Sequence, residues 1–122
     1  MKYFEFELNG ETIKFRLTTE NAQQIEKKTG KGLFDLLYPI TISNVVTLLT
    51  YLRRGELLQF SEKDTFALCD KLIDSGMTYE DIMDKIIYES LVVSGFLSQN
   101  QLEEAKKMKE EIKKNIANEL QN

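Results

Sequence analysis

The sequence predicts a mainly α protein with a small N-terminal β-hairpin (α+β). A compact helical domain over residues 1–97 is followed by a C-terminal amphipathic helix over 98–122. Three observations carry this expectation. Apolar and charged residues alternate on both sides of Asn9-Gly10. Apolar residues recur at helical spacing through most of the chain after Thr18. Capping boxes at Ser61, Thr78 and Ser98 mark helix starts.

The hairpin comes first. "YFEFEL" and "ETIKFRL" flank Asn9-Gly10, a pair suited to a two-residue type I′ turn because both positions need positive φ. That loop length sets Phe6 opposite Ile13 and Phe4 opposite Phe15, with Glu5 facing Lys14 and Tyr3 facing Arg16 on the other side. One face is apolar and the other carries paired opposite charges, as expected of a hairpin that covers a core.

The segment "TTENAQQIEKKTG" reads as a helix capped by Thr18 or Thr19. It ends at Gly30, with Lys27 and Lys28 complementing its negative end. "LFDLLY" is a short apolar turn or helix closed by Pro39. In "ITISNVVTLLTYLRRG", Ile42, Val45, Val46, Leu49 and Leu52 form one stripe, widened by Leu48, which marks a largely buried helix. The helix opened by Ser61 and Asp64 is expected to bury Phe66, Cys69, Leu72 and Ile73, and to stop at Gly76. The helix opened by Thr78 and Asp81 turns Ile82, Met83, Ile86, Ile87 and Leu91 inward and stops at Gly95. Ser98 and Gln101 open the last helix. Met77 with Ile82, and Leu97 with Leu102, fit hydrophobic staples at two of these starts.

Composition narrows the function classes. Apolar residues make up 42% and charged residues 30%, an ordinary globular profile. No apolar run approaches the roughly 20 residues of a membrane span. The N-terminus lacks the continuous apolar stretch of a signal peptide, so a cytoplasmic protein is expected. The single cysteine, Cys69, cannot form an internal disulfide. Histidine is absent, which removes the commonest general base and the commonest metal ligand together. A net charge of −4 supplies none of the basic excess that phosphate contacts require, so no nucleic-acid partner is expected.

Each stretch that looks like chemistry has a simpler reading. "KKTGKGLFDLL" places Gly30-Lys31-Gly32 before an apolar run, but the spacing of a P-loop fails at Ile25 and Gly32, and that of a dinucleotide loop at Asp35. It reads as a helix end followed by a flexible turn, a hinge between helices. Asp70 with Asp74, and Glu80 with Asp84, lie four apart and opposite the apolar stripes, so they read as solvated carboxylates rather than an acid–base pair. No calcium loop and no zinc ligand set is present, and no metal or cofactor is expected. Cys69 lies on an apolar stripe without a histidine base and reads as a small buried hydrophobe. Arg53-Arg54 complements the dipole of the helix it ends.

The last segment is different in kind. Leu102, Ala105, Met108, Ile112, Ile116 and Leu120 form a thin stripe among charged and amide residues, with Glu103–Lys107 and Glu110–Lys114 as favourable pairs. The steps along the stripe do not keep a strict heptad, so no coiled coil is claimed. Two readings stand side by side: the helix packs back on its own domain, or it lies in a partner's groove or against a second copy of the chain.

The hairpin, then "TGKGLFDLL", "NVVTLLTYLRRG", "SEKDTFALCDKLIDSG" and "IMDKIIYESLVVSGFL", with its Ser94-Gly95-Phe96 turn, resemble the tail assembly chaperones of long-tailed bacteriophages over about residues 1–98. The resemblance implies a non-enzymatic assembly factor. Such proteins hold the aggregation-prone tape measure protein soluble while tail tube protein polymerises around it, and then leave. A C-terminal extension in the family is credited with recruiting tube subunits, a role that the segment from Ser98 onward would share. Outside that family, a structural tail or connector component, or an inhibitor of a host protein, remains the alternative, and a carboxylate-based hydrolase a distant third. Apolar residues least committed to the core by periodicity are the expected partner contacts. They are Leu33, Phe34, Leu37 and Tyr38 beside the hinge, then Phe96 and Leu97, then Leu102, Ile112 and Ile116.

Overall fold

Strand β1 (Phe4–Leu8) and strand β2 (Glu11–Phe15) pair antiparallel around a turn in which Asn9 and Gly10 take φ of 51° and 83°. These signs are the ones a type I′ turn demands. The register matches Phe4 with Phe15, Glu5 with Lys14 and Phe6 with Ile13, as the loop length requires. Phe15 is wholly buried, with the Phe4 ring 6.5 Å away, so the apolar face of the hairpin lies on the helices. This computed structural model describes residues 2–121.

Five helices follow among the described residues. Helix α1 (Thr19–Thr29) starts at Thr18, whose hydroxyl accepts a hydrogen bond from the Asn21 amide, and ends at Gly30 with φ of 71°. The stretch after it was expected to be a flexible hinge; it is instead tied down. The Glu26 carboxylate accepts the Leu33 amide at 2.8 Å, and the Thr29 hydroxyl accepts the Lys31 amide at 3.2 Å. A single 3-10 turn (Leu33–Leu36) then leads to a cis Tyr38–Pro39 bond.

Helix α2 (Ile42–Arg53) is the central element and packs against α1, β2 and the two helices that come next. Val45, Leu48, Leu49 and Leu52 are completely buried, and Val46 nearly so. Ile42 departs from the expected stripe: it sits in the first turn and is 56% exposed. Helix α3 (Glu62–Asp74) buries Thr65, Leu68, Cys69 and Leu72, whereas Phe66 points outward at 50% exposure. The expected face is therefore rotated. Thr65 can turn inward because its hydroxyl meets that of Thr50 at 2.6 Å, so a polar residue joins the core without losing hydrogen bonding. Phe66 is displaced accordingly.

Helix α4 spans 79–93 and contains a π-helical turn, Met83–Ile87, between α-helical Tyr79–Ile82 and Tyr88–Val93. The Tyr88 amide bonds to the Met83 carbonyl across the wider turn. Ile82, Met83, Ile86, Ile87 and Leu91 are all fully buried, and the turn brings Tyr88 and Ser90 into the same buried surface. The inward Ser90 hydroxyl donates to the Ile86 carbonyl at 2.6 Å. The capping boxes at Ser61–Asp64 and Thr78–Asp81 are formed in full, and so is the reciprocal pair of Ser98 and Gln101 that opens helix α5 (Gln99–Gln121).

The end of α2 locks the hairpin in place. Arg53, expected only to complement the helix dipole, is buried: it donates to the Lys14 carbonyl at 2.6 Å and lies over the Phe15 and Phe60 rings. Two residues on, Gly55 lies so close to β2's exit that a Cβ there would be 2.2 Å from the Arg16 carbonyl oxygen. The Arg16 amide bonds to the Leu52 carbonyl at 3.0 Å beside it. Among the described residues, no helix is long and apolar enough to cross a membrane.

Candidate functional site

Helix α5 makes the surface with the most to offer a partner, and its placement begins at the residues just before it. Gly95 takes φ of 87° at the end of α4, and Phe96 and Leu97 then pack half-buried on the core. The chain therefore turns back, and α5 runs antiparallel to α4. Leu102 is its anchor, 1% exposed, with Ala105 half-buried one turn on.

Three lysines fasten the next turns. Lys106 pairs with Glu89 at 3.5 Å, Lys109 with Asp84 at 2.5 Å and Lys113 with Glu80 at 2.5 Å. The Lys109 ammonium also lies 4.9 Å from the centre of the Tyr88 ring. The Glu80 hydrogen bond and charge raise the Lys113 pKa above its usual value. Burial, and after it the Asp84 charge, raises that of the Tyr88 hydroxyl.

Tyr38, on the loop after the 3-10 turn, stands beside this helix and is 60% exposed. It shares a largely apolar cleft of about 230 Å³ with Tyr88, Ala105, Met108, Lys109 and Ile112. A smaller cleft of about 120 Å³ adds Ile40, Glu80 and Lys113 to Tyr38, Lys109 and Ile112. Past these clefts the apolar stripe continues with Ile116 and Leu120, both uncovered.

The expected partner contacts fall into three groups. Tyr38 and Ile112 are brought together in the clefts, and Ile116 extends that surface. Phe34 is also exposed, at 55%. Phe96 and Leu97 are half-buried packing residues. Leu33, Leu37 and Leu102 are each buried in the core: Leu33 in the 3-10 turn, Leu37 just after it, and Leu102 where the start of α5 docks. Met108, Tyr88 and Ile40 join the surface without having been singled out as contacts. The signal that could have found the docking lay in the charges, since Glu80 and Asp84 are spaced four apart as are Lys109 and Lys113. Read as free solvated carboxylates, they are instead the acidic side of the α4–α5 seam.

Other candidate chemistry has a structural place. The Cys69 thiol is buried, and burial with the nearby Asp70 charge raises its pKa to about 11, which keeps it protonated and unreactive near neutral pH. Asp70 and Asp74 are exposed on α3. Among the described residues, no group of three or more His, Cys, Asp or Glu side chains could hold a metal ion. A cleft of about 440 Å³ between the hairpin turn and α3 is lined by Leu8, Glu11, Ile13, Phe60, Asp64 and Lys71 among others, a mixture of apolar and oppositely charged groups. No protein-family model, curated protein or solved structure matches this chain.

Proposed function

We propose that this protein is a non-enzymatic binding module, acting as a tail assembly chaperone that holds the tape measure protein, tail tube protein or both during phage tail construction. The observation that carries the reading is the exposed apolar surface of Tyr38, Met108, Ile112 and Ile116, set on an acidic, charge-rich body. A charged body with an exposed apolar surface can cover a partner's apolar helix and release it, which is the physical task of such a chaperone. The absence of histidine in the sequence and the raised pKa of the one thiol favour binding over catalysis. The phage assignment rests on the resemblance of the element order over residues 1–98.

Co-expression with a tape measure fragment and, separately, with tail tube protein tests this reading by size-exclusion chromatography with light scattering. A defined complex that raises the partner's soluble yield is expected. No complex with either at about 50 μM, enough to detect micromolar binding, overturns the assignment. Within such a complex, Ile112→Asp with Ile116→Asp is expected to weaken binding while the circular dichroism of the rest stays intact. Unchanged affinity removes α5 from the binding surface.

A further inference from the structure

The α4 surface beneath α5 is charged at three points that read as a code for an antiparallel helix with lysines along one face. Glu80, Asp84 and Glu89 meet Lys113, Lys109 and Lys106 in order, and the Tyr88 ring beneath takes the Lys109 ammonium on its face. The helix that occupies this surface holds it lightly. Of α5's side chains only Leu102 is buried, Ala105 and Lys109 are partly so, and 110–121 are exposed along their whole length. The Lys106–Glu89 and Lys113–Glu80 pairs are open to solvent, hence weak and screened by salt, and only Lys109–Asp84 is sheltered, so the fit is specific in register without being tight. The geometry points to α4 as a helix-docking surface that α5 straps in cis, and to a trans occupant of the same chemistry: an amphipathic helix with a small apolar face and lysines or arginines spaced as Lys106, Lys109 and Lys113.

The inference goes beyond the chaperone reading and holds whichever protein supplies the helix. A strap in cis competes with any such helix at the effective concentration set by its short tether, in the millimolar range for linkers of this kind. Loosening the strap must therefore raise the affinity of a trans helix for this surface.

The test uses the full chain and a fluorescent peptide of residues 98–121, followed by anisotropy. Lys109→Ala with Lys113→Ala in the chain leaves Glu80 and Asp84 free, and should bind the peptide at least about tenfold more tightly than the wild-type chain does. Adding Glu80→Lys and Asp84→Lys should abolish that gain. All four substitutions lie outside the fully buried core, and circular dichroism melts verify that each chain is folded. A second measurement needs no variant: amide hydrogen exchange of 103–121 in the wild-type chain should quicken about tenfold between 0.05 and 1 M NaCl while α2 is unchanged. Equal peptide affinity in wild-type and loosened chains, a gain that survives the charge reversal, or α5 exchange that does not respond to salt overturns the proposal.

Discussion

Replacing Leu102 by alanine should release α5 without unfolding the rest. Leu102 is 1% exposed, and burying a leucine side chain contributes about 1.5–3 kcal/mol. The other holding contacts are smaller. Lys109–Asp84, the most sheltered ion pair, contributes on the order of 1 kcal/mol, and the pairs to Lys106 and Lys113 are more exposed. Large-to-small changes at buried leucines cost about 2–5 kcal/mol when the surroundings cannot collapse. At this site collapse is not the easiest response, because the helix can leave. The measured cost should therefore be capped near the docking free energy of α5, at about 2–3 kcal/mol, and appear locally. Hydrogen exchange followed by mass spectrometry provides the assay: amides of 99–121 should lose protection, while those of α2 keep theirs. A urea transition read at the core should shift little. If instead Leu102→Ala lowers protection in α2 and α5 alike, α5 is an integral part of the cooperative core and the reasoning fails.

Three further outcomes follow from contacts elsewhere. Gly55→Ala should cost about 1–3 kcal/mol, because the new Cβ meets the Arg16 carbonyl oxygen, which is backbone and cannot swing away; a urea-midpoint shift under 0.5 kcal/mol would show that the loop relaxes freely. Thr50→Val and Thr65→Val should each cost about 1 kcal/mol but together less than their sum, since either change alone breaks the 2.6 Å pair; strictly additive values in a double-mutant cycle would refute the coupling. Cys69 should resist a thiol reagent at pH 8 until the chain unfolds. Because its folded pKa is raised from 9.0 to about 11, the unfolded chain releases this proton first as pH rises, so the thiol's contribution to stability should be level below pH 9 and fall between 9 and about 11. Tyr79 and Tyr88, both with raised pKa, add to the loss at the upper end, and Cys69→Ala should remove the cysteine's share of the slope; an unaltered slope would show that the thiol is not its source.

What was legible in the sequence is what neighbours decide. The Asn9-Gly10 turn and the boxes at Ser61, Thr78 and Ser98 are set by residues within four positions of one another, and the hairpin register and helix starts follow them. The inward face of α4 was legible because its apolar residues are numerous enough to mark the face whether the turn is α or π. The face of α3 was not. Burying Thr65 depends on Thr50, which belongs to another helix, and no pattern within α3 reveals that a threonine will outcompete Phe66 for the interior.

The candidate site was half legible for the same reason. Tyr38, Ile112 and Ile116 stood out as apolar residues with no core to claim them, and they are exposed. Leu33, Leu37 and Leu102 had the same local character and are buried, because the 3-10 turn and the return of α5 give them a core made by distant segments. The deciding quantity is how much of α5 the body can cover. The antiparallel pairing matches Lys113 to Glu80, one residue from the start of α4, so the body runs out there while the helix continues. Leu102 lies before that limit and is core; Ile116 and Leu120 lie beyond it and are bare. A stripe that is one continuous feature in sequence is thus two surfaces in the fold, an anchor that holds α5 and an extension that nothing among the described residues covers. The boundary between them is fixed by the length of α4 rather than by anything in α5 itself.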